Sequence, residues 1–193
     1  MSEYFLVFMS AALVNNFVLT RFLGLCIFFG VSKNYQSSVS MGAAVVTVMT
    51  SSSLLAWVVY HFVLVPHHLE FLNTVVFVFL IACFVQLLEM VVKKFLPMLY
   101  ELWGIYILLV ATNCIVLGVP LINAEEGFGL GKSLVNAFGS GVGFAFALIL
   151  MASIREKLDN ADVPEVLKGH SITFIVTGLL ALAFQGFSGM IPK

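Results

Sequence analysis

Apolar residues run along this chain in long blocks, separated by short polar segments. A hydrocarbon layer about 30 Å thick takes about 20 apolar residues in a helix rising about 1.5 Å per residue. Six blocks reach that length: Tyr4 to about Phe29, Val39 to Val65, Phe71 to Val92, Trp103 to Ile122, Leu134 to Ile154 and Ile172 to Ile191. The period-2 alternation of barrel strands is absent. The pattern predicts an all-α integral membrane protein, a single membrane domain over residues 1–193 with six transmembrane helices.

Composition agrees with that class. Of 193 residues, 61% are hydrophobic and 10% charged, and the mean hydropathy is +1.09. Soluble domains carry about 25% charged residues, so nine basic and ten acidic side chains are too few to cover this chain in water. The formal net charge of −1 argues against a nucleic-acid partner, which selects a concentrated basic face. The start, Met1-Ser2-Glu3, is acidic where a signal peptide is basic, so the first block is expected to stay as a membrane span.

Basic residues set the expected orientation. The first, third and fifth loops hold Lys33, then Lys93 and Lys94, then Arg155, Lys157 and Lys168. The other side has Lys132 and Lys193 beside His67, His68, Glu70, Glu125 and Glu126. The odd loops are therefore expected in the cytoplasm and both termini outside.

Polar residues interrupt two blocks. Asn15-Asn16 falls about eleven residues into the first, roughly 16 Å along a helix and near the midplane. Thr20, Arg21 and Gly24 follow before Cys26, and Thr112-Asn113-Cys114 breaks the fourth block. Both cysteines open the pattern Cys-Ile-x-x-Gly-Val, in Cys26–Val31 and Cys114–Val119, close to half the chain length apart. The pattern predicts a 3+3 inverted repeat, with pseudo-repeats at about 1–97 and 98–193 and with helices one and four broken. Such repeats gather broken helices at the midplane, which brings Cys26 toward Cys114.

Three readings of that pair stay open on spacing alone. They are small buried hydrophobes, a disulfide, or two ligands of an iron–sulfur cluster that takes four protein ligands, the rest coming from another subunit. Cys83, in an unbroken apolar block, reads as a small buried hydrophobe. Gly127-Phe128-Gly129-Leu130-Gly131-Lys132-Ser133 imitates a phosphate loop, but Glu126 stands where the first glycine is required. Gly139, Gly141 and Gly143 read as close helix packing.

Several runs carry a resemblance along the whole chain. They include Val14-Asn15-Asn16-Phe17-Val18-Leu19, Phe22-Leu23-Gly24-Leu25-Cys26, Gly30-Val31-Ser32-Lys33 and Glu89-Met90-Val91-Val92. Thr112-Asn113-Cys114, Ile154-Arg155-Glu156-Lys157-Leu158, Ala161-Asp162-Val163-Pro164 and Gly186-Phe187-Ser188-Gly189 complete the set. With these the chain resembles the A-type members of Rnf complexes, the ion-translocating ferredoxin:NAD oxidoreductases of bacteria and some archaea. It is more distantly similar to the E-type members of sodium-pumping NADH:quinone oxidoreductases. It departs from the family at Ile27 and in Ile107-Leu108-Leu109, where proline is usual.

The resemblance implies a membrane subunit of a redox-driven ion-translocating electron transport complex in the bacterial inner membrane, without a complete active site of its own. It implies a homologous partner of opposite topology, the E-type subunit, together with the other Rnf subunits. It also implies one intramembrane 2Fe-2S cluster to which each homologue contributes two cysteines, here Cys26 and Cys114. Arg21, one turn before Cys26, either offsets the cluster's charge or snorkels to the interface; Asn15, Asn16 and Asn113 stand as supporting residues. No flavin-attachment pattern or NAD fingerprint occurs in the sequence, so those cofactors are expected on other subunits. The alternative class is a small inverted-repeat permease that holds no metal.

Overall fold

A computed structural model describes residues 2–32, 34–67, 70–95, 109–110, 112–160, 164 and 169–186, and the described residues contain helices and turns but no strand. The first apolar block is split into pieces. Helix α1 (Ser2–Met9) runs into a π-helical turn, Ser10–Val14, closed by the Asn15 N–H on the Ser10 carbonyl at 2.7 Å. The chain turns extended at Asn16, forms one turn of α2 (Phe17–Thr20), and turns again before α3 (Leu25–Val31). That second turn uses two left-handed residues, Phe22 at φ 55° and Gly24 at φ 83°. Glycine adopts such a conformation without steric cost and phenylalanine does not.

The rest of the chain is built from longer helices. Helix α4 (Tyr35–Val59) continues through a second π-helical turn, Tyr60–Leu64, and α5 (Asn73–Phe95) follows a 3-10 turn at Glu70–Leu72. Then come α6 (Cys114–Glu125), α7 (Leu130–Asp159) and α8 (His170–Gln185).

Helices α4 and α7 form the central pair, and small residues bring them close. A Cβ placed on Gly42 would lie 2.9 Å from the Ala145 Cβ, and one on Gly141 would lie 3.0 Å from the Val46 Cα. A step of four residues forward in α4 matches four backward in α7, so the two are antiparallel. Helix α5 is antiparallel to α4 as well, since Met41 and Ala44 share a crevice with Leu88, Glu89 and Val92. Phe28, Phe77, Phe144, Met41, Met49, Leu148 and Met151 fill the core between these helices.

The outward faces are apolar, as lipid or a protein partner demands and water does not. On α5, Val75, Val78, Phe79, Leu87, Met90 and Phe95 are exposed, and on α8 Phe174, Ile175, Leu179 and Leu182 are. Three stretches are long and apolar enough to cross a bilayer: Tyr35–Leu64, Asn73–Phe95 and Leu130–Asp159. The shorter apolar helices are Glu3–Val14, Cys114–Glu125 and His170–Gln185.

Two expectations require correction. The fifth block is longer at both ends than its hydropathy shows, so Lys132, Arg155 and Lys157 lie within α7 and not in loops. Lys132 pairs with Glu3 of α1 at 3.2 Å, and Arg155 is buried. Apolar length underestimates a helix whose polar ends are held by the rest of the protein. Cys83 is exposed on α5 and not buried, on a helix whose outward face carries other exposed apolar residues such as Phe79 and Leu87. The prolines usual near Leu108 fall in a run of which residues 107 and 108 lie outside the described residues.

Candidate functional site

The two breaks meet. Asn113, extended at φ −71° and ψ 118°, caps α6 by accepting the Ile115 N–H on its Oδ1 at 3.2 Å. This places Cys114 as the first residue of α6. Asn16 caps α2 in the same way, through Val18 N–H at 3.1 Å. Its Nδ2 donates to the Gly143 carbonyl at 2.8 Å, tying the first break to the middle of α7. An Asn cap of this kind contributes about 1 kcal/mol, a large share of what holds the single turn of α2.

Gly24 joins the breaks. A Cβ there would lie 3.1 Å from the Asn113 Oδ1 and 3.1 Å from the Phe144 ring, so only a hydrogen fits without displacing a neighbour. Its N–H donates to the Cys114 Sγ at 3.0 Å. Cys26 stands in the first turn of α3, two residues after Gly24, and its thiol lies close enough to the Cys114 thiol for the two to interact. Both cysteines are free thiols and exposed on this chain. Ile27, at the family's proline position, is fully buried, and the turn ahead of it forms through Phe22 and Gly24 instead.

Two other sequence candidates, Asn15 and Arg21, line a cavity that includes neither cysteine. Asn15 closes the π-helical turn and donates to the Ser10 hydroxyl at 3.2 Å. Arg21 is exposed, its guanidinium 5.6 Å from the centre of the Phe17 ring. The cavity measures about 390 Å³, and Ser10, Glu126 and Asn136 also line it. Behind it runs a buried polar network that sequence spacing does not reveal. Asn136 donates to the Asn123 Oδ1 at 2.7 Å, and Asn123 donates to the Ser53 hydroxyl and the Ser133 carbonyl, each at 3.2 Å. Single asparagines inside an apolar block (Asn136) or at its end (Asn123) are the signal of it in the sequence. The glycine stripe of α7 behaves as expected: Gly139 faces Phe8, Gly141 faces Val46 and Gly143 faces Ala12. The sequence Gly127–Ser133 makes the turn into α7, with Phe128 O accepting from Trp57 Nε1 at 3.2 Å.

Chemically, the arrangement is an exposed dithiol. Sulfur donors with directed N–H groups suit a soft metal or an iron–sulfur cluster, whose properties respond to hydrogen bonds on the sulfurs. Two thiols are half of the four ligands a 2Fe-2S cluster takes. Among the described residues no group of three or more His, Cys, Asp or Glu side chains could complete a site. Both thiols are exposed, so ligands from another chain would have room beside them.

Comparison with known proteins gives a consistent result. Residues 4–191 match the family model described as Rnf-Nqr subunit, membrane protein. The chain is 66% identical to the A-type subunit of the proton-translocating ferredoxin:NAD(+) oxidoreductase complex of Clostridium ljungdahlii, over 99% of both chains. It is 49% identical to the A-type subunit of the ion-translocating oxidoreductase complex of Serratia proteamaculans, over 99% of each chain. With the protein of that name from Syntrophotalea carbinolica the identity is 47% over the full length of both.

Proposed function

The chain belongs to the family of Rnf-Nqr membrane subunits, and from that premise we propose that it is the A-type membrane subunit of an ion-translocating ferredoxin:NAD oxidoreductase complex. In this reading Cys26 and Cys114 hold one side of a 2Fe-2S cluster, and a homologous E-type subunit of opposite topology holds the other. The observation that carries it is the thiol pair itself: two sulfurs from opposite halves of the chain, side by side and facing outward.

When bound, such a cluster accepts and releases single electrons. This chain's residues have other tasks. Asn113 fixes the start of α6 and so the position of Cys114. Gly24 lets the two breaks approach and directs an N–H at the Cys114 sulfur. Asn16 anchors the first break to α7. Ile27, Phe28 and Ile115, next to the two cysteines in sequence, are fully buried and pack these helix starts into the core.

In the same reading the chain crosses the bacterial inner membrane six times as a 3+3 inverted repeat, with both termini outside. Support comes from the antiparallel α4–α7 pair and from the like position of Cys26 in α3 and Cys114 in α6, each in a first turn. Flavin and NAD would then bind other subunits.

The test is electron paramagnetic resonance of the assembled complex. Cys26→Ser and Cys114→Ser should each abolish one iron–sulfur signal without loss of assembly, and Cys83→Ser should leave it. The chain expressed alone should hold little iron, and co-expression with its homologue should restore a cluster. Full iron content and electron transfer in both ligand variants would overturn the assignment.

A further inference from the structure

Arg155 is the one charged side chain among the buried described residues, 8% exposed near the end of α7. Its Nη1 donates to the Phe29 carbonyl at 3.1 Å and to the Ser32 hydroxyl at 2.9 Å. Among the described residues no carboxylate pairs with it; the ion pair found there is Glu3–Lys132. A guanidinium buried away from water must have its donors satisfied, and in membrane proteins such a charge faces the bundle interior and marks a functional element.

Its acceptors identify the element. The Phe29 carbonyl is one of the last four of α3, which have no partner within the helix. Helix α3 has seven residues, too few to hold its own direction. It is fixed from outside instead. At its far end Arg155 from α7 binds Phe29 and Ser32, and the Ser38 hydroxyl from α4 donates to the Val31 carbonyl at 3.2 Å. At its near end the Gly24 N–H meets the Cys114 sulfur. Cys26 lies between these anchors, about 1.7 turns before Ser32, or roughly 9 Å along the axis.

We propose that Arg155 is a positioning residue for Cys26: it sets α3 from its C-terminal end and keeps a permanent positive charge behind the thiol. A cation at that end opposes the negative pole of the helix. The same charge would stabilise added negative charge at Cys26, so a centre held there would be easier to reduce than without it. The two Nη1 hydrogen bonds and the charge are separable, because lysine keeps the charge but carries its donors on a shorter side chain of different shape, while glutamine loses the charge. The electrochemical half of this inference rests on Cys26 being a cluster ligand; the positioning half does not.

The experiment has two arms. In the whole complex, Arg155→Gln should lower the midpoint potential of the cluster and broaden its resonance signal. Arg155→Lys should broaden the signal with the potential near that of the parent, and Ser32→Ala, which removes one acceptor, should do the same more weakly. If Arg155→Gln does not assemble, Arg155→Lys and Ser32→Ala decide: an unchanged signal in both overturns the proposal. In the second arm the chain is expressed alone with Cys83→Ser and Cys114→Ser, and the alkylation rate of Cys26 by a maleimide is measured in membranes. Arg155→Gln should change that rate several-fold, and an unchanged rate overturns the positioning role whether or not Cys26 binds iron. Persistence of the cluster signal in Cys26→Ser would instead sink the ligand assignment, leaving the alkylation arm to judge Arg155.

Discussion

Gly143→Ala is the sharpest test of how the first break is held. The added Cβ would lie 2.6 Å from the Ala12 carbonyl oxygen and 3.1 Å from the Ala12 Cα. Both are backbone atoms of the π-helical turn, so no side chain can swing aside. Relief requires the turn and α7 to separate by about half an ångström or more, given ordinary contact distances of about 3.5 Å. Overpacking of this kind costs about 1–3 kcal/mol. The separation also stretches the 2.8 Å bond from Asn16 to the Gly143 carbonyl, worth about 1 kcal/mol. Alanine recovers about 1 kcal/mol of helix propensity, leaving a net loss of about 1–3 kcal/mol. The chain carries its own controls. Gly30 in α3 and Gly178 in α8 have nothing within 4 Å of the position a methyl would take, so alanine there should be neutral or stabilising by up to about 1 kcal/mol. Gly139, with Phe8 O at 3.0 Å, should fall between. Unfolding of the solubilised chain in graded denaturing detergent, followed by circular dichroism, ranks the four. A Gly143→Ala protein as stable as Gly178→Ala would refute the packing of the break against α7.

Asn113→Ala should destabilise α6 by about 1 kcal/mol through loss of its cap. Asn113→Asp, which keeps the accepting oxygen, should largely restore the helix in the same unfolding assay. Lys132→Ala should change stability by under about 0.5 kcal/mol, since its partner Glu3 is largely exposed and surface ion pairs contribute little; a loss above about 2 kcal/mol would show that the pair anchors α1. Reporter fusions at Lys33, Lys94 and Lys157 should behave as cytoplasmic, and those at His67 and Glu125 as exported. The opposite pattern would reverse the orientation and the assignment of sides.

Helix existence was legible where burial and lipid exposure both reward apolar residues. Helices α4 and α5 and the middle of α7 satisfy both at once, and their blocks are long and unbroken. Ends were less legible. Hydropathy falls wherever a polar side chain enters, and it cannot distinguish Arg155 bound to α3 from an arginine in water. That distinction depends on a contact between residues 29 and 155, made by tertiary packing alone. Cys83 fails in the opposite direction: an apolar neighbourhood in sequence says that a residue avoids water, and lipid satisfies that as well as a core does.

The site was legible as a set of residue types and illegible as a geometry. Asn15-Asn16, Gly24 and Asn113 are poor helix formers inside apolar blocks, and each has a local task that its side chain, or lack of one, explains. Asn caps, Gly takes a positive φ, and the chain stops being a helix at those points. The strained turn at Phe22 carries no such signal, because phenylalanine is an ordinary core residue and its φ of 55° is imposed by its neighbours. Strain of this kind persists only where the surroundings over-determine it. Here they do: the Leu23 N–H is held by the Phe17 carbonyl at 3.0 Å, and the Gly24 N–H by a sulfur from the other half of the chain. The turn therefore takes its shape from the approach of the two halves, and that approach sets one thiol beside the other.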